Sequence, residues 1–94
     1  MNKRLFLFAG FNAQHIIDDT LVYYVRALSK CGDVILCMDS DCSDSELKKI
    51  TPYVLHATAQ RHGEYDFGSY KRAYLYAVDT GILDKYDFVY MVND

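Results

Sequence analysis

Apolar runs alternate with stretches of helical spacing along the whole of this chain. Leu5 to Ala9 is continuously apolar and is followed by Gly10-Phe11-Asn12, which predicts a central strand buried on both faces. Leu21, Val22, Val25 and Leu28 recur at helical spacing after a cap at Asp18 or Asp19, with Lys30 in the last turn and Gly32 closing the helix. Val34 to Met38 then forms a second buried run, ending in Asp39-Ser40-Asp41. Strand, helix and strand within about 35 residues is the size of a parallel crossover unit.

Ser43 followed by Glu46 has the spacing of a capping box, so a short helix is expected over Asp44 to Lys49, stopped by Thr51-Pro52. Tyr53 to Ala57 predicts a third strand, with Pro52 placed ahead of it where no ladder N–H is needed. A turn dense in Gly, aromatic and charged residues, Arg61 to Arg72, passes straight into a helix carried by Tyr70, Ala73, Tyr74, Ala77 and Val78. Asp66 is the natural N-cap of that helix. Gly81 ends it, and Asp87 to Val92 supplies a fourth strand.

Strands alternating with helices imply an α/β fold, a three-layer α/β/α sandwich around a mostly parallel sheet. Ligands of such sheets bind beyond the carboxyl ends of the strands, where the strand order reverses. The segments that follow the strands are Gly10 to His15, Asp39 to Cys42, Thr58 to Asp66 and Asn93-Asp94, so their polar residues should converge on one edge. Arg61, His62, Glu64, Tyr65, Lys71 and Arg72 crowd one helix N-terminus, where backbone donors and the dipole favour anions.

Composition narrows the classes. The chain has 94 residues, 51% of them hydrophobic and 24% charged, as expected of one ordinary globular domain. A net charge of −3 argues against a nucleic-acid footprint. Cys31, Cys37 and Cys42 fit no zinc spacing and are expected as buried or half-buried thiols in a reduced compartment. The apolar start is too short for a signal peptide, and no segment approaches the roughly 20 apolar residues that span a bilayer. A cytoplasmic location follows, with any peripheral membrane association left to regions not present. The closing run, Tyr86 to Asp94, has the look of a buried strand reaching a functional loop, so the sequence is expected to be part of a longer protein.

The order Arg61-x-Gly63-x-Tyr65-Asp66-Phe67-Gly68-Ser69-Tyr70-Lys71, followed by Leu83-x-x-Tyr86-Asp87-x-Val89-Tyr90-x-Val92-Asn93-Asp94, resembles the rhamnan synthesis protein F family of bacterial polysaccharide glycosyltransferases. The helix ending at Leu28, with its Asp-x-x-x-x-Tyr-Tyr-x-x-x-Leu pattern, belongs to the same resemblance. It implies a nucleotide-diphosphosugar transferase-like fold, of which residues 1–94 are the N-terminal, nucleotide-sugar-binding part. It also implies transfer of a sugar, rhamnose from a dTDP-linked donor being one case, to a cell-surface polysaccharide or lipid-linked acceptor. At Arg61-His62-Gly63-Glu64 the chain departs from the family, which carries an Asn there, and donor identity stays open.

Under that resemblance Asp94 is the candidate ligand for a divalent cation, Mg or Mn, that neutralises the leaving diphosphate. The alternative is a turn-initiating Asn93-Asp94 that caps a following helix. Asp39 either accepts from a ribose or base hydroxyl or belongs to a solvated loop leading to Ser43. Arg61 and Lys71 are candidates for holding the diphosphate, Arg by bidentate contact and Lys as a point charge. Gly68 permits close backbone approach, by a neighbouring loop or by the sugar. Of Tyr65 and Phe67, one is expected to pack inward and the other to face the cleft. Asn93 joins Asp39, Arg61, Asp66, Gly68 and Lys71 as a substrate-binding candidate, and His62 is the one histidine placed to touch ligand.

Two other classes compete. A receiver-like regulatory module needs an acidic cluster after its first strand, which Gly10-Phe11-Asn12 does not supply. A non-catalytic interaction domain would present its tyrosines, among them Tyr23, Tyr76 and Tyr90, as an aromatic patch away from the strand ends.

Overall fold

The computed structural model describes residues 3–94. Strand β1 (Arg4–Gly10) is buried at every position after Arg4. It lies between β2 (Asp33–Met38) and β4 (Phe88–Asn93), and β3 (His56–Ala59) flanks β2. The order is β3-β2-β1-β4, and all three pairings are parallel. The chain is thus an α/β domain on a parallel sheet.

Helices fill both faces. Phe6, Phe8, Val34 and Leu36 point to one face, where they meet Leu21 and Val25 of α1 (Asp19–Ser29) together with Ile17 and Ile50. Leu5, Leu7 and Ile35 point to the other and meet Ala73 and Ala77 of α3 (Tyr65–Asp79). Parallel crossovers are right-handed in nearly all cases. The path β1 to β2 runs one way along the sheet and β3 to β4 runs back the other way, so their helices must lie on opposite faces. Each fully buried side chain of this core, such as Phe8 or Leu5, contributes roughly 1.5–3 kcal/mol.

Local chemistry sets the ends. Asp18 is the cap of α1, its Oδ1 accepting from the Leu21 N–H at 2.8 Å. Ser43 caps α2, which covers Asp44–Leu47 and is shorter than expected because residues 48–50 continue as a turn. The third strand begins at His56, not Tyr53. Pro52 fixes its own φ and lacks an N–H, which suits the 3₁₀ turn Thr51–Tyr53 that forms there instead. The fourth strand starts at Phe88, because Asp87 folds back on Lys3, donating to its carbonyl and accepting from its N–H, each at 2.8 Å. Gly81 follows the end of α3 as expected.

Two differences concern surface and packing. Cys37 and Cys42 are buried, but Cys31 is exposed. Gly32 is not needed for a left-handed helix end: a Cβ there would lie 2.5 Å from the Arg4 carbonyl oxygen, so the glycine lets the α1–β2 turn press against β1. Among the described residues, no helix is long and apolar enough to cross a membrane.

Candidate functional site

Three loops leave the carboxyl ends of β1, β2 and β3, and side-chain hydrogen bonds tie them into one surface. Ser40, fully buried, accepts from the Asn12 N–H at 2.8 Å and donates to the Asn12 carbonyl at 3.0 Å. The Asp41 N–H donates to His15 Nδ1 at 2.9 Å, and Asp41 Oδ1 accepts from the Arg61 N–H at 2.9 Å. Each bond joins backbone to side chain across different loops, so none of the three can move alone.

Asp39 is the hinge of this arrangement. Its Oδ1 accepts from the N–H groups of His62 at 2.7 Å and Gly63 at 3.0 Å. Burial pushes the carboxyl up, but those two N–H groups, with the positive charge of Arg61, outweigh it and hold Asp39 below the usual carboxylate range. His62 is locked in turn: its Nδ1 accepts from the Glu64 N–H at 3.0 Å and its Nε2 lies 2.9 Å from Ser69 Oγ. An imidazole that accepts at Nδ1 carries its proton on Nε2, so Ser69 is the acceptor.

The start of α3 differs from expectation. Asp66 does not cap it; the N-cap position is Glu64, and no side chain supplies a capping bond. Asp66 Oδ2 instead accepts from Asn93 Nδ2 at 2.7 Å, which pins the end of β4 to the helix start. The reason is the backbone at Tyr65, whose φ of 61° ends the loop in the left-handed region and carries Asp66 already inside the first turn. Tyr65 and Phe67 are both strongly exposed, so neither packs inward. Gly68 sits under the loop: a Cβ there would lie 2.3 Å from Glu64 Cβ and 2.9 Å from His62 Cε1. Its close approach is therefore to a neighbouring loop.

Two cavities open at this edge. One, of about 310 Å³, is lined by Phe11, Asp39, Arg61, Gly63, Tyr65 and Asp66. The other, of about 530 Å³, shares Phe11 and Asp66 and adds Asp18, Tyr24 and Asp94. Phe11 follows β1 and Asp94 follows β4, the two strands between which the order reverses. Asp94 Oδ2 lies 3.5 Å from the Phe11 N–H. Burial, and then the charges of Asp66 and Asp18, push its carboxyl up, against the opposing pull of the Phe11 N–H. One carboxylate of the edge is thus held low and another high.

Of the residues singled out in the sequence, Asp39, Arg61, Asp66 and Asp94 line these cavities, and Asn93 touches them through Asp66. Lys71 lines neither cavity and stands 3.6 Å from Glu64 Oε1, while Gly68 is buried beneath His62. Arg72 bonds Glu64 and also donates to the Gly68 carbonyl at 3.1 Å. That bond, then the charges of Arg72 and Lys71, hold the Glu64 carboxyl low. Sequence reasoning missed Phe11, Asp18 and Tyr24 as lining residues and Ser40, Asp41 and Ser69 as their supports. Phe11 alone carried a signal, being an apolar residue directly after a strand-ending glycine.

Hard oxygen donors from Asp94, Asp66 and Asp18 suit Mg²⁺ or Mn²⁺ in character. Among the described residues, however, no three His, Cys, Asp or Glu side chains stand close enough to hold an ion by themselves. Comparison of the chain with protein-family models, curated proteins and solved structures found no match.

Proposed function

We propose that this chain is the nucleotide-sugar-binding part of a glycosyltransferase, with a three-layer, nucleotide-diphosphosugar transferase-like fold. One observation carries the reading: Asp39, Arg61, Asp66 and Asp94 converge on adjoining cavities at the carboxyl edge of a parallel sheet, where its strand order reverses. The likeness of residues 61–71 and 83–94 to the rhamnan synthesis protein F family points the same way.

In this reading the donor diphosphate lies against the uncapped start of α3, whose free N–H groups and positive dipole end favour an anion. Arg61 supplies a paired donor to the phosphate oxygens, and Asp39, with Oδ1 committed to the loop, offers its other oxygen to a ribose hydroxyl. Tyr65 and Phe11 give apolar walls for base or sugar. A cation bound through Asp94 and the phosphate oxygens would offset charge as the sugar–phosphate bond breaks. Asp94, crowded by Asp66 and Asp18, is the carboxylate that gains most from such a neighbour. The sugar would then pass to a polysaccharide or lipid-linked acceptor.

A titration of the full chain with dTDP-, UDP- and GDP-sugars, with and without Mg²⁺ or Mn²⁺, followed by thermal shift and NMR, tests this. Stabilisation by one nucleotide class, strengthened by metal and lost in Arg61→Ala and Asp94→Ala, is the expected result. No response to any donor overturns the reading.

A second reading, a non-catalytic interaction module, is favoured by one feature. β4 exposes Phe88, Val89, Tyr90 and Met91 along an edge with no charged residue between Phe88 and Asn93. Tyr23 and Tyr76 do not extend it into one patch, since they belong to α1 and α3 on opposite faces of the sheet.

A further inference from the structure

The amino edge of the sheet, opposite the site above, carries a further cavity, of about 550 Å³. We propose that it binds a phosphate-bearing anion.

Four cations line it: Lys3, Arg4, Lys30 and Lys85. The chain has 10 Lys and Arg against 13 Asp and Glu, so four of ten cations meet here beside a single lining carboxylate, Asp33. In a chain of net charge −3 this is a concentration of the minority sign. The ion pairs among the described residues use Lys49, Lys71 and Arg72, and none of these four.

The nearby acids already have partners. Tyr86 donates its hydroxyl to Asp33 Oδ2 at 2.6 Å, and Asp87 accepts from the Lys3 N–H at 2.8 Å. Burial, followed by that bond and the charge of Asp33, pushes the Tyr86 hydroxyl far up, so it stays a neutral donor.

An ordinary structural role explains only part of the cluster. Lys30 follows the C-terminus of α1, where a cation is favoured by the helix dipole. Lys3 and Arg4 come instead from the start of β1, and Lys85 from the 3₁₀ turn Leu83–Lys85 ahead of β4. Three separate segments therefore bring cations to one concavity, and the tight contact of Gly32 with the Arg4 carbonyl fixes two of its walls together. The volume is that of a small-molecule site. Arg4 offers paired N–H donors to phosphate oxygens and the lysines offer point charges. The ligand class is a phosphomonoester or diphosphate, either free or as a lipid headgroup. Because this cavity lies at the other end of the strands, the amides it would shift differ from those of donor binding at the carboxyl edge.

The test is an amide NMR titration of the full chain with inorganic pyrophosphate, beside co-sedimentation with phosphatidylcholine vesicles with and without phosphatidic acid. Saturable shifts confined to residues around Lys30, Gly32 and Tyr86 are expected. A Lys30→Gln, Lys85→Gln double variant, both sites exposed, should weaken binding about tenfold while its melting temperature holds. Pyrophosphate shifts without vesicle binding identify a soluble phosphate. Vesicle binding that needs phosphatidic acid and fails in the double variant identifies a headgroup. No binding of either probe, or shifts scattered over both edges and indifferent to the double variant, overturns the proposal.

Discussion

Asp39 Oδ1 stands 3.7 Å from His62 Nδ1, yet the two do not form an ion pair. The imidazole nitrogen that faces the carboxylate is already an acceptor for the Glu64 N–H, and the carboxylate oxygen already takes the N–H groups of His62 and Gly63. Backbone, not side-chain charge, joins them. The loop that carries Arg61 is therefore shaped by Asp39 and presented to the cavity through its backbone.

Replacing Asp39 tests that relationship. Asp39→Ala leaves two loop N–H groups without their charged acceptor and should cost about 1.5–3 kcal/mol, the range for hydrogen bonds to charged groups, read by urea unfolding. Asp39→Asn keeps an acceptor and should cost less. The carboxyl is held below its ordinary value of 3.8, so its contribution is complete above that value and disappears as pH falls through the lowered one. Both variants should flatten that acid limb, and an unchanged limb would assign it to other groups.

Gly68→Ala sets two effects against each other. Helix propensity favours alanine by up to about 1 kcal/mol. The new methyl, however, would meet Glu64 Cβ at 2.3 Å, an atom fixed to the backbone, and overpacking of this kind costs about 1–3 kcal/mol. Net destabilisation is expected, with amide shifts at His62 and Gly63 as the loop lifts from the helix. Stabilisation would mean that the loop yields freely.

Much of this was legible in the chain, for identifiable reasons. The apolar runs at 5–9 and 34–38 are strands because no other element buries both faces of so short a segment, and the reversal of strand order places Phe11 beside Asp94. Asp66 was legible as a residue of the site but not in its role. Its spacing suits a cap, and only the left-handed turn at Tyr65 and the reach of Asn93 show that its carboxylate is used elsewhere. The roles of Ser40, Asp41 and Ser69 were not legible in the sequence, because each works through a backbone group or a ring more than five residues away. Lys71 looked available from its position, but Glu64 lies on the preceding turn and pairs with it.

His56 supplies a pH dependence distinct from that of the carboxylates. Its ring stacks on Tyr76 with centroids 3.8 Å apart and planes 2° from parallel, and burial lowers its pKa below the ordinary 6.5. The unfolded chain then takes up a proton before the folded one does. The stability held by neutral His56 is complete above about pH 6.5 and is lost as pH falls through the lowered value. Thermal melts should drop between pH 7.5 and 5.5, and His56→Phe, which keeps an aromatic ring on Tyr76, should remove that drop.

Asp94 has the opposite sign, and this is what makes it informative. Its carboxyl is raised by burial and by the charges of Asp66 and Asp18, so the folded state resists its ionisation. Stability is highest while Asp94 is protonated and falls as pH rises through its raised value. Asp94→Asn should therefore stabilise the protein at pH 7, by less than about 1 kcal/mol because the group is partly exposed and screened, and should have little effect near pH 3. The same variant must lose any metal-enhanced binding of a nucleotide-sugar. A carboxylate whose removal raises the melting temperature while abolishing metal-dependent ligand binding is kept for function against its cost to the fold. If Asp94→Asn instead lowers the melting temperature at pH 7 and leaves ligand response intact, Asp94 is a structural turn residue and the cation role falls with it.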